Sequence, residues 1–197
     1  VSFEDPRQIE VCAEICQSVV LDNGAFSAWR QGKPYDFAGF ASWAEKWIRH
    51  PCVEWAVIPD VIDGDEDQND ALIDTWELPA AVSVPVYHMH ESIDRLVRLA
   101  ERFPRVALGS SGAYATVGTD QWWSRMADMM DAICDEHGRP LVKLHGLRML
   151  DPGVFSKLPL SSADSTNVAR NVGIDSAWRQ SYAPASRAMR ALILMER

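Results

Sequence analysis

The stretch VPVYHMH at residues 84–90 decides the fold class, together with the segments that follow it. It is an apolar run typical of a strand, and the next residues have a helical pattern in which Ser92 can cap the first turn. A second apolar run, VALGSSG at residues 106–112, comes after the helix. A strand, a helix and a strand in this order predict two parallel neighbours, because a crossover returns the chain in the same direction.

The same alternation extends in both directions from this unit. Further strands are predicted at residues 18–21, 55–58, 141–146 and 158–161, and further helices at 36–49, 68–76, 119–138, 151–158 and 185–197. The strands are apolar throughout, which is typical of a parallel sheet that is covered on both faces or closed into a barrel. The sequence therefore predicts an α/β protein in which residues 1–197 form one domain.

Composition limits the class of protein. The chain has 197 residues and a formal charge of −9, and 47% of its residues are hydrophobic, so disorder, collagen and coiled coil are excluded as the main description. The acidic balance disfavours a broadly basic, nonspecific nucleic-acid binder. No apolar run approaches the roughly 20 residues that cross a bilayer, and no signal-peptide pattern is present, so we expect a soluble cytoplasmic protein without a membrane partner.

Polar residues stand at the carboxyl ends of the predicted strands. In parallel α/β folds these ends meet at one edge, where catalytic groups lie. We therefore expect a candidate active site there, formed by Asp22, Asp60, His88 with His90, Gly109 with Ser110 and Ser111, Lys143 with His145, and Asp164.

The segment LDNGAFS at residues 21–27 resembles the D-S-G-G-F-Q motif of the tRNA-guanine transglycosylases. Four further segments follow in the order of that family: VALGSSG at 106–112, KLHGL at 143–147, SADS at 162–165 and NVARN at 167–171. The resemblance implies a (β/α) barrel of TIM type with about six to eight strands. Because such barrels typically have about 250 residues, this one would be reduced or irregular.

The resemblance also implies an activity, which is cleavage or exchange of an N-glycosidic bond. Asp164 would be the carboxylate nucleophile and Asp22 the acid/base, while Asp60 would bind the edge of the base. The backbone of Gly109 and Ser110 would donate to a base carbonyl. The full set of predicted substrate-binding residues is Asn23, Gly24, Phe26, Asp60, His88, His90, Gly109, Ser110, Ser111, Lys143, His145 and Arg170. No metal or other cofactor is predicted.

The chain departs from the family at its zinc site. The family has a C-x-C-x-x-C run after the nucleophile, whereas the last cysteine here is Cys134. That subdomain helps to hold the nucleic acid, so its loss shifts the expected substrate away from tRNA. Because the family has relatives that insert deazaguanines into DNA, we expect a nucleic acid or nucleotide partner, with DNA or a single strand foremost.

Two other functions remain open from the sequence. A metal-dependent hydrolase of the amidohydrolase type could use His88, His90 and His145 with an aspartate, and a degenerate barrel could bind nucleic acid without catalysis. Lys143 could pair with an aspartate, bind phosphate or form a Schiff base. Trp29, with Arg30 and Lys33 nearby, could form a surface contact. Arginines near the C-terminus, including Arg170, could meet phosphates.

Overall fold

The computed structural model describes residues 1–165 and 186–195. Within these residues the fold is mixed α/β with parallel strands, as predicted. The strands are β1 Val19–Leu21, β2 Val53–Val57, β3 Ser83–Val84, β4 Val86–His88, β5 Arg105–Gly109, β6 Lys143–Gly146 and β7 Ser162–Ala163. The helices are α1 Gln8–Ile15, α2 Ala25–Gln31, α3 Phe37–Trp47, α4 Glu66–Asp74, α5 Ile93–Arg102, α6 Asp120–Ile133, α7 Pro152–Phe155 and α8 Arg187–Met195. Short 3-10 helices occupy Ala80–Val82 and Gly112–Tyr114.

The strands pair in the order in which they occur in the chain. One parallel sheet has the order β1-β2-β3 and another has the order β4-β5-β6-β7. Pro85 separates the two sheets, because it has no N–H to donate to a neighbouring strand. The chain nevertheless stays hydrogen-bonded on both sides of this break, since Ile58 N donates to Val84 O and Ala107 N donates to Pro85 O, each at 2.9 Å. The two sheets therefore continue one another, and their strands follow the order of the chain.

The two sheets are strongly curled. The indole of Trp55 on β2 lies edge-on to the imidazole of His145 on β6, with ring centroids 5.0 Å apart. In a flat sheet these two strands would be about 14 Å apart, because two strand positions lie between them. The curl brings inward-facing side chains from several strands into one buried cluster, which contains Trp55, Val57, Val84, Val86 and Ala107.

Helices cover the outer face of the strands. The predicted cap of α5 is confirmed, since Ser92 Oγ accepts from Arg95 N, and Thr119 caps α6 in the same way. The buried stripe of α6 consists of Trp122, Met126, Met129 and Ile133. Full burial of a large apolar side chain contributes about 1.5–3 kcal/mol. Packing against the sheet therefore fixes this helix, and with it the loop that follows β5.

Three sequence predictions need correction. The run at 84–90 is not one strand, because Pro85 divides it and β4 ends at His88. The last predicted strand, at 158–161, forms instead at Ser162–Ala163. Pro159 has no backbone N–H to donate to a neighbouring strand, and β7 begins after it. The helix predicted at 119–138 ends at Ile133. In addition, the helices α1 and α2 were not predicted. No helix within the described residues has the length and apolar character needed to cross a membrane.

Candidate active site

A cavity of about 340 Å³ lies at the carboxyl ends of the strands. Its polar lining includes Asp22, Asn23, Asp60, His88, Ser110, Arg148 and Asp164, and its apolar lining includes Val20, Phe26, Val57, Val86 and Leu147. Strand alternation explains this set, because residues two apart in a strand point to the same face. The polar side chains at the ends of successive strands therefore line the same cavity.

The loop after β1 carries Asp22, Asn23 and Gly24 into the cavity. Gly24 has a φ of +77°, which other residues adopt only at a cost, and it starts helix α2. A Cβ at this position would lie 3.2 Å from Glu4 N and from Ser2 Oγ. The glycine therefore lets the N-terminal segment pack beside β1, where Ser2 forms a parallel bridge with Asp22.

Asn23, Asp60 and His88 form a buried polar cluster. Asn23 Nδ2 donates to Asp60 Oδ1 at 2.7 Å and to Ile58 O at 2.8 Å. His88 Nε2 lies 3.0 Å from Asp60 Oδ2, but His88 Nε2 has no hydrogen-bond partner with suitable alignment. All three side chains are at most 8% exposed. The cluster fixes the Asp60 carboxylate and leaves a buried imidazole nitrogen at the cavity wall that a ligand can satisfy.

The Asp22 carboxyl is suited to hold a proton. Burial raises its pKa, and repulsion from Asp164 and Asp60 acts in the same direction, while a hydrogen bond with Ser2 opposes the shift. A carboxyl with a raised pKa stays protonated at higher pH than an exposed one. Such a group can serve as a general acid.

The Asp164 carboxylate follows β7 on the other side of the cavity. Its Oδ1 accepts from Arg148 N at 2.7 Å, and His145 Nε2 lies 3.4 Å from Oδ2. His145 Nδ1 is 2.8 Å from Ser162 Oγ, so both edges of the imidazole are engaged. The side chain of Asp164 is 47% exposed. It is therefore oriented by its neighbours and still accessible to a substrate.

Arg148 is a site residue that the sequence analysis missed. Its guanidinium carbon lies 4.0 Å from the ring centroid of Phe26, and both residues line the cavity. The backbone of Arg148 has a φ of +58°. A non-glycine residue in this left-handed region is uncommon and often occurs at functional sites. The only available signal in the sequence was an arginine two residues after Gly146, which ends β6.

The structure brings most of the predicted site residues together. Asp22, Asn23, Gly24, Phe26, Asp60, His88, Gly109, Ser110 and Asp164 all line the cavity. His145 lies against Asp164. Ser110 Oγ also accepts a hydrogen bond from Trp122 Nε1 at 3.0 Å, which ties the loop after β5 to helix α6.

Other predicted residues lie outside this cavity. Lys143 begins β6 at the opposite end of the strands and is exposed, so it does not lie at the edge where the sequence analysis placed it. His90 is exposed, and its Nδ1 is 2.8 Å from Ser111 Oγ. Arg170 lies outside the described residues. Within the described residues, no three His, Cys, Asp or Glu side chains are grouped so that they could hold a metal ion.

Comparisons of the chain with family models, curated proteins and solved structures give no match. Any functional conclusion therefore depends on the geometry and chemistry of the cavity.

Proposed function

We propose that this protein cleaves or exchanges the N-glycosidic bond of a nucleic acid or nucleotide, as the resemblance to tRNA-guanine transglycosylases implies. One observation carries the proposal. Asp22, after β1, and Asp164, after β7, line the same cavity, and their charges interact. Glycosyl transfer requires two carboxyl groups with different roles. The raised pKa of Asp22 suits an acid, and the accessible carboxylate of Asp164 suits a nucleophile.

The proposal includes a closed or nearly closed (β/α) barrel. Support comes from the consecutive parallel order of the strands and from their curl, which brings Trp55 and His145 into contact. Asp22, after the first strand of that order, and Asp164, after the last, also line one cavity. A barrel is the arrangement in which the first and last strands become neighbours.

The chemistry follows from the two carboxyl groups. An Asp164 oxygen attacks the anomeric carbon of the sugar as the bond from that carbon to the base nitrogen breaks. The Asp22 proton passes to the departing base, which otherwise leaves as an anion. In the second step Asp22 takes a proton from an incoming base or water, whose nucleophilic atom displaces Asp164 from the sugar. Water gives hydrolysis, and a second base gives exchange.

The remaining lining suits a flat heterocycle. Val57, Val86 and Leu147 offer apolar surface, and Phe26 offers an aromatic one. Asp60 is already held by Asn23, and carboxylate oxygens have further lone pairs that accept the N–H groups of a purine-like base. The cavity therefore combines apolar walls with a fixed acceptor, which is the usual arrangement for a small-molecule pocket.

The test is an assay for base release and exchange. The protein is incubated with single-stranded DNA, duplex DNA, RNA and mononucleotides, and free base, abasic sites and incorporation of labelled guanine or a deazaguanine are measured. We expect at least one substrate to lose or exchange a base. Absence of both reactions with every substrate class would overturn the proposal.

A further inference from the structure

An exposed aromatic side chain stands beside the mouth of the cavity. Trp29, on α2, is 48% exposed, and its ring centroid lies 5.7 Å from that of Phe26, which lines the cavity. The guanidinium carbon of Arg148 lies 4.0 Å from the centroid of the same Phe26 ring. The two rings are tilted by 38° to each other, so Phe26 links the cavity lining to the exposed Trp29 indole.

Two cationic residues follow Trp29 in the sequence. Arg30 lies near the end of α2 and Lys33 just after it, and both are exposed. Lys33 Nζ lies 3.8 Å from a Glu4 carboxylate oxygen, and such an exposed pair contributes little, so it can rearrange at small cost. We call Trp29, Arg30 and Lys33 the rim patch. In a chain with a formal charge of −9, a patch with two cations next to an acidic cavity marks where a polyanion can approach.

We propose that the rim patch binds the nucleotide adjacent to the target base, so that the substrate is a single-stranded polynucleotide rather than a free nucleoside. The inference rests on the proposed function. The flanking base stacks on the Trp29 indole, and Arg30 and Lys33 meet the phosphates on either side. Aromatic rings with nearby cations are the usual platform for single strands. A target base must be unstacked before it can enter the cavity, which favours a single strand over a duplex.

The experiment measures binding separately from catalysis. Fluorescein-labelled 12-mers of single-stranded DNA, single-stranded RNA and duplex DNA are titrated with the protein, and affinity is read by anisotropy. We expect Trp29→Ala to weaken single-strand binding by at least fivefold, since one base–aromatic stack is worth about 1–3 kcal/mol. Trp29→Phe is expected to restore most of the affinity, because it keeps an aromatic ring.

Salt dependence tests the cations of the rim patch. Each phosphate contact on a single strand contributes about 0.7 to the slope of log affinity against log salt, so Arg30→Gln should lower that slope by about this amount. The control is Leu141→Ala, which alters a residue that is 71% exposed and precedes β6 at the other end of the strands. It should change neither affinity nor slope.

Each outcome decides the inference. If the wild type does not bind single strands, or if Trp29→Ala binds as tightly as the wild type, the inference is wrong. A Trp29→Ala variant that weakens duplex and single strands equally would also contradict it. Because binding is measured without turnover, failure of the flanking subsite can be distinguished from failure of the proposed function. Base release that is unaffected by Trp29→Ala on every oligonucleotide would leave the proposed function intact and remove the flanking subsite.

Discussion

The backbone N–H of Arg148 donates a 2.7 Å hydrogen bond to Oδ1 of Asp164. Arg148 makes this bond from a left-handed conformation, with a φ of +58°. The bond joins the loop after β6 to the residue that follows β7, and it orients the carboxylate toward the cavity. The side chain of Arg148 meanwhile stacks on Phe26, which also lines the cavity. One residue therefore positions the proposed nucleophile with its backbone and shapes the base-binding wall with its side chain.

Replacement of the proposed nucleophile should abolish catalysis. We expect Asp164→Asn to lower base release or exchange by about a thousandfold or more, because the amide cannot form the covalent intermediate. The measurement is single-turnover base release on the best substrate found above. The matched control is Asp74→Asn on the surface of α4, where the carboxylate is 67% exposed and pairs with Arg102. Comparable activity of the two variants would contradict the assignment of Asp164.

The left-handed backbone at Arg148 predicts a difference between two small replacements. Arg148→Gly should be more stable than Arg148→Ala by about 1 kcal/mol, because alanine keeps the cost of a positive φ that glycine does not have. Both variants lose the stack on Phe26, so the comparison isolates the backbone. The free energies of unfolding are measured by urea denaturation. Equal stability of the two variants would show that this backbone is not strained.

The raised pKa of Asp22 predicts a stability that depends on pH. A folded-state pKa above the unfolded value means that ionisation of Asp22 destabilises the fold, and this loss develops as pH rises from about 4 through the folded-state pKa. Asp22→Asn removes the buried charge. It should therefore be more stable than the wild type at pH 7, by roughly 0.5–2 kcal/mol, as is common for stabilising replacements at functional sites.

Denaturation at several pH values checks the sign of this effect. The advantage of Asp22→Asn should shrink as the pH falls and vanish below about pH 4, where the carboxyl is protonated in both states. A constant advantage at all pH values would mean that ionisation of Asp22 is not its source. The same variant should lose activity, because the amide cannot supply the proton to the departing base.

A buried ion pair behind the cavity predicts a large loss of stability. Glu91 Oε2 accepts from Arg95 Nη1 at 2.7 Å and from His88 N at 2.8 Å, and both charged side chains are at most 1% exposed. Glu91→Ala leaves the Arg95 guanidinium buried with one partner fewer, which should cost about 3–5 kcal/mol. Urea denaturation measures it.

The control for Glu91 is an exposed pair of the same type. Glu45 and Arg49 form an i,i+4 pair in which both side chains are more than half exposed. Glu45→Ala should cost less than about 1 kcal/mol. If Glu91→Ala and Glu45→Ala were equally stable, the buried network would not be what fixes His88 and the chain after β4.

Much of the architecture could be predicted because it follows from local pattern. The helix α6 and the Ser92 cap of α5 were predicted from the sequence and are present in the structure. The ends of the short strands were less predictable. The break at Pro85 has a local cause, a residue without an N–H. The start of β7 at Ser162 depends instead on its pairing with β6, which no local pattern shows.

The candidate site shows the same division. Asp22, Asp60, His88 and Asp164 could be predicted to approach one another, because the ends of parallel strands share an edge. Arg148 could not be predicted, since its role depends on a left-handed backbone that brings its N–H to Asp164 and its side chain to Phe26. Lys143 has the same alternation as His145, yet it starts β6 and so lies at the other end.

The sequence by itself determined the parallel α/β class and the polar residues at the strand ends, because periodicity and alternation act over a few neighbouring residues. The tertiary structure alone decided which of those residues share a cavity. It set the curl that brings Trp55 to His145, the burial that raises the pKa of Asp22, and the cluster that fixes Asp60. Each of these depends on groups far apart in the chain, whose distances are set by packing and not by spacing along the sequence.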